Sequence, residues 1–222
     1  MSQRIGVAVE TGAKKVFATA VDWPGWSRSG KTEELALAAL AAAVERYAAV
    51  AREAGEPFPS SPLGREDLHI LERNPGGAST DFGVPSVVTD HDRRPIAPLE
   101  ADRLRGLVAA AWAVFDRVVA VAPAELRKGP RGGGRDRDKI VEHVLEADHT
   151  YCREMGLHVA VPSRADGGSI ETTRSAMLDL LGQPSDGSPL GGRKWPPRYA
   201  AGRIAWHALD HAWEIEDRSE PA

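Results

Sequence analysis

The chain has 222 residues, of which 42% are hydrophobic and 27% charged, a composition that can bury a core and excludes a disordered or fibrous protein. A formal net charge of −4 argues against a broad nucleic-acid-binding or membrane-binding surface. A single cysteine, Cys152, excludes an internal disulfide framework and fits a reducing compartment.

The first seventeen residues lack the apolar core of a signal peptide, and no apolar run is long enough to span a bilayer. The expectation is a cytoplasmic protein of one large domain or two small ones. Residues 4–9 and 16–22 lean towards strand, with Thr11-Gly12 between them as a turn signal, so a hairpin is predicted. Trp23-Pro24-Gly25-Trp26 is a turn with aromatic flanks. Thr32 is a candidate N-cap, and Glu33 and Glu34 suit the positive end of the helix that follows. That helix runs through an Ala/Leu-rich stretch to about Ala54 and stops at Gly55. Residues 68–73 read as a third strand and residues 84–88 as a weaker fourth.

This ββαβ order resembles the HicB antitoxin-like fold. The resemblance is carried by Trp23-Pro24-Gly25-Trp26 and by Gly30-Lys31-Thr32-Glu33-Glu34-Leu35-Ala36 at the helix start, and it covers about residues 4–90. It implies a small α+β sheet domain without fixing a function. No helix-turn-helix is evident, which argues against antitoxin activity.

The polar run His91-Asp92-Arg93-Arg94-Pro95 suggests a boundary between a domain of residues 1–95 and a second of residues 96–222. Four helical patterns follow. The first covers about 99–121, with Leu104, Val108, Ala111, Trp112, Phe115 and Val119 at helical spacing, and Pro123 ends it. The second covers about 135–155 and is stopped by Gly156. The third covers about 169–181, with Ser169 as its predicted N-cap. The fourth starts near Arg198, after Trp195-Pro196-Pro197. Four helices of this length with inward apolar faces make a bundle. The long connection 184–197 is placed over one end as a lid.

The last helix carries the strongest chemical signal. At about 100° per residue, Ile204, Ala208, His211 and Ile215 share a stripe, with His207 beside it. A buried imidazole needs partners for its ring nitrogens, and His-x-x-x-His on one helix face is also a good metal chelate. The second helix offers two further histidines, His143 and His149, on opposite flanks of its apolar stripe and about 240° apart. Periodicity does not choose between them.

A bundle of this length, with one histidine in its second helix and His-x-x-x-His in its last, resembles the DinB/YfiT-like superfamily. The resemblance implies a three-histidine site of His143, His207 and His211 holding a divalent metal. Zinc is the first expectation, with nickel or iron suited to the same imidazoles. It also implies a low-molecular-weight thiol as cosubstrate in a transfer or rearrangement of a small molecule, and homodimers are common among such bundles. Where many relatives begin the second helix with Trp-Ser or Trp-Thr, this chain has Gly132-Gly133-Gly134-Arg135-Asp136-Arg137-Asp138.

Around these positions, Glu214 lies three residues past His211 and Glu146 one turn past His143, so both are candidates to orient a ligating histidine. Arg203, one turn before His207, is a candidate contact for an anionic substrate. The basic glycine-rich stretch 126–139 opens the second helix, and Arg131 and Arg135 are candidates to hold an anionic cofactor there. Trp206 and Trp213 sit on another side of the last helix and are expected to pack against a neighbour. Cys152 reads as core, and His69, His91 and His158 as surface or loop residues. The expected function is a metal-dependent transferase or hydrolase acting on a small molecule. The alternative is a non-catalytic regulatory module that binds a partner through its first domain.

Overall fold

A computed structural model describes residues 4–59, 62–129 and 133–219. The fold is α+β. Strands β1 (Ile5–Thr11), β2 (Val16–Ala20), β3 (Ser27–Gly30) and β4 (Leu68–Pro75) form one sheet in the order β3-β2-β1-β4. The predicted hairpin is the antiparallel β1–β2 pair, with Val7 opposite Ala20 and Thr11 opposite Val16. β4 joins β1 in parallel, which requires the intervening helices as a crossover.

Three details of this first half differ from expectation. Ser27-Arg28-Ser29-Gly30 is an edge strand on β2 that polar residues concealed. The single predicted helix is two, α1 (Glu33–Ala42) and α2 (Val44–Glu53), divided at Ala43. Beside this break the indole of Trp26 donates to the Leu40 carbonyl at 3.0 Å, and the Tyr47 hydroxyl donates to the Pro24 carbonyl at 2.8 Å. Residues 84–88 are not a strand. Pro85 has no N–H to give a ladder, and the Ser86 and Val87 amides donate instead to the buried Glu10 carboxylate. A short helix α3 (Ala78–Phe82) precedes that segment.

The second half is four helices: α4 (Pro98–Val121), α5 (Arg137–Glu154), α6 (Gly167–Leu181) and α7 (Pro197–Ser219). Pro98 begins α4, where a missing N–H is harmless. Asp166, not Ser169, caps α6, its side chain accepting from Gly168 and Ser169 amides. The 184–197 connection crosses one end of the helices. Ser185 bridges to Ile96, Gly191 backs onto Gly156, and Trp195 packs on Tyr151 and Tyr199.

The buried apolar side chains form one connected cluster that runs from the sheet and α1–α2 into α4–α7. α7 is the shared element. Trp206 meets Phe17 of β2 edge-on at 6.2 Å, and the Arg28 guanidinium of β3 lies 4.0 Å above the Trp213 ring while pairing with Asp210. Both tryptophans therefore turn towards the sheet, leaving the opposite side of α7 to α5. Among the described residues no helix is long and apolar enough to cross a membrane.

Candidate metal centre

α5 and α7 pack against each other, α5 burying Ile140, Val144 and Tyr151 in the core and α7 burying Ile204, Ala208 and Ile215. This register turns His143 of α5 towards His207 and His211 of α7. One nitrogen from each ring lies within 4.8 Å of the others. The Nε2 atoms of His143 and His207 are 3.3 Å apart. The rings meet nearly at right angles, with centroids 4.7 Å apart for His207–His211 and 5.0 Å for His143–His211. His149, on the other flank of α5, is not in the cluster.

Four nitrogens placed tetrahedrally about 2.1 Å from a zinc ion lie roughly 3.4 Å from one another. The 3.3 Å separation of His143 and His207 matches that edge. Protonation states fit as well. Burial, then the neighbouring His211 and His143, hold the His207 pKa down at about 2, so its ring stays neutral with a lone pair available. Burial and His211 lower His143 in the same direction. Three imidazoles from two helices, His207 nearly closed off and the other two partly buried, leave coordination positions for a further ligand.

His211 is held from behind. Its Nδ1 donates to Glu214 Oε2 at 2.8 Å, and Glu214 Oε1 accepts from Arg218 Nη1 at 2.7 Å. The His211 hydrogen bond, ahead of its charge and of Arg218, keeps the Glu214 carboxyl below the ordinary glutamate range. Arg218 Nε in turn donates to the Arg127 carbonyl, while the Arg127 amide donates to the Arg218 carbonyl. His207 has no such support: its Nδ1 is buried without a hydrogen-bond partner among the described residues.

The other sequence candidates fall in different places. Glu146 is exposed on α5 and reaches the cluster only through its charge. Arg203 lies over the rings of Trp206 at 4.9 Å and Tyr151 at 5.6 Å, and Tyr151 touches the His207 ring edge-on at 5.7 Å. Arg203 is thus one aromatic ring away from the histidines. Arg135 is exposed ahead of α5, where its charge depresses the pKa of both His143 and His207. Arg131 lies outside the described residues. At the start of α5, the Asp136 carboxylate accepts from the Leu126 amide and pairs with Lys128, so an internal anion already stands at this basic junction.

Two residues escaped the sequence reading. Arg218 orients Glu214, and the i,i+4 spacing of the two was its available signal. His91 is not a surface residue. It is buried, with Nε2 3.4 Å from Asp22 Oδ1, because the 3-10 turn carrying it packs under α7. Cys152 is buried as expected, and burial beside Asp148 pushes its thiol up to about 12. His69 and His158 are exposed.

No protein-family model, curated protein or solved structure matches the chain.

Proposed function

We propose that the chain is a divalent-metal-dependent enzyme of DinB-like type, acting on a small molecule as a transferase or hydrolase, with a HicB-like sheet domain preceding the bundle. The observation that carries this reading is the convergence of His143, His207 and His211, with the His143 and His207 nitrogens at metal-edge spacing and the His207 ring held neutral by burial. Zinc suits three imidazoles best, with nickel or iron compatible.

When bound, such an ion supplies Lewis acidity and lowers the pKa of a coordinated water towards about 7, or holds a small thiol as its thiolate. The residues divide the remaining work. Glu214 accepts the Nδ1 proton of His211 and so fixes the tautomer that leaves Nε2 free to coordinate. Arg218 fixes Glu214. Tyr151 walls the His207 side and keeps water from that ring.

Metal analysis of protein purified without an affinity tag tests the assignment. About one divalent ion per chain is expected, and His207→Ala should lose it while retaining the wild-type circular dichroism spectrum. Folded wild-type protein that neither carries an ion nor takes up added zinc or nickel overturns the reading.

A further inference from the structure

A second feature lies on the opposite side of α7, and none of the three histidines lines it. Between the sheet face and α7 is a cavity of about 80 Å³. Its walls are largely apolar: Ala8 and Val21 from the sheet side, Leu104 from α4, Trp206 from α7 and Pro24 from the aromatic turn. Two arginines enter it from α7. Arg198 is 7% exposed; its Nη1 pairs with Glu100 and its Nη2 donates to the Pro95 carbonyl at 2.9 Å, but its Nε is buried with no partner among the described residues. Arg203 has no carboxylate within ion-pairing distance among the described residues; it contacts the Pro85 carbonyl at 3.5 Å and the Tyr151 hydroxyl. A buried guanidinium N–H without an acceptor is costly, and an incoming anion relieves that cost.

Gly202 supplies an independent observation. It sits inside α7, lines the cavity, and has an ordinary helical backbone, so no positive φ demands glycine there. A Cβ built on it meets no atom within 4 Å. Glycine in a helix interior is less stable than alanine by about 1 kcal/mol. Nothing packs close enough to require the missing side chain, so a larger residue at this wall position has open space to extend into.

The carboxylates at the wall do not compete for the arginines. Glu10 is saturated by Thr80 Oγ1, by the amide and hydroxyl of Ser86 and by the Val87 amide. Asp92 Oδ2 accepts from the Thr89 amide and hydroxyl.

We propose that this cavity is a binding site for a small carboxylate, its methyl group against the apolar walls and near Gly202, its carboxylate on Arg198 Nε and the Arg203 guanidinium. The volume sets the size. A cavity of about 150 Å³ takes one benzene, with its six non-hydrogen atoms, so 80 Å³ takes about three or four, the size of acetate.

Titrating the full chain with acetate, with acetamide as the neutral control, tests the assignment by calorimetry and by amide chemical shifts. Saturable acetate binding is expected, weaker by roughly tenfold in Arg203→Gln, as suits loss of one charge-assisted contact. Gly202→Leu should fill the cavity and abolish binding, with a melting temperature at or above wild type. His207→Ala should bind acetate as wild type does, which separates this site from the metal centre. No saturable binding, equal binding of acetamide, or unchanged binding in folded Gly202→Leu each overturns the proposal.

Discussion

His211 Nδ1 donates to Glu214 Oε2 at 2.8 Å, one turn along α7, and that bond decides which face of the imidazole is free. The carboxylate can only accept, so the proton sits on Nδ1 and the lone pair on Nε2, towards His143 and His207. Glu214→Gln is expected to weaken zinc binding by about 10–100-fold, the usual effect of removing an outer-shell partner. Competition with a chromophoric chelator measures it. Arg218→Met, which frees Glu214 without removing it, should give a smaller loss in the same direction.

Asp148 makes stability depend on pH. Its carboxyl is buried in α5 beside Trp112 and Arg174, with Oδ2 unpartnered, and burial raises its pKa from 3.8 to about 7. Between these values the folded protein holds a proton that the unfolded chain has released. The associated stability is full below about pH 4, falls as pH rises towards 7, and is gone above it. Asp148→Asn, neutral at every pH and of the same shape, should match wild type near pH 4 and melt higher than wild type at pH 8. Thermal melts of both proteins across that range check the sign. A wild type that gains on Asp148→Asn as pH rises contradicts the assignment.

The helices and the histidine pair of α7 were legible because a period of 3.6 residues writes itself into the chain: Ile204, Ala208, His211 and Ile215 fall on one stripe whatever they pack against. His143 was not chosen by its own helix, since it and His149 flank the same apolar face. The α5–α7 register selects it, and register is a tertiary property. β3 was hidden because Ser27-Arg28-Ser29-Gly30 has no apolar alternation; an edge strand next to α1 and α7 is held by pairing and by Arg28–Trp213 rather than by its own hydrophobicity. The apolar 84–88 stretch failed as a strand for a non-local reason, the capture of its amides by Glu10. The cavity beside Gly202 had no sequence signature, because its walls come from the sheet, the 23–25 turn, α4 and α7, which only the tertiary fold brings together.

Tyr47 reports on the turn that carries Trp23 and Trp26. It is fully buried, stacked on Trp26 with ring centroids 5.4 Å apart, and its hydroxyl is the donor to the Pro24 carbonyl. Tyr47→Phe keeps the stack and strands that carbonyl, so a loss of about 1–2 kcal/mol is expected in urea unfolding. An unchanged midpoint means that the Pro24 carbonyl finds water instead.

Gly25 sets how closely that turn approaches α7. Its φ of +91° is open to glycine and strained for any other residue, and a Cβ there would stand 2.9 Å from the Ala205 carbonyl carbon and 2.8 Å from a Leu209 methyl. The Leu209 methyl can move; the backbone of a helix packed on both sides cannot. Gly25→Ala therefore combines backbone strain with overpacking, together roughly 2–4 kcal/mol. For a chain of this size that is a fall of about 5–15 °C in melting temperature. Because the sheet and the helices share one core, the loss should appear as a single shifted transition, with sheet and helix signals moving together. Two separated transitions in Gly25→Ala, with the helical one unmoved, would instead make the first ninety-five residues and the bundle independent folding units, joined at α7 only by weak contacts.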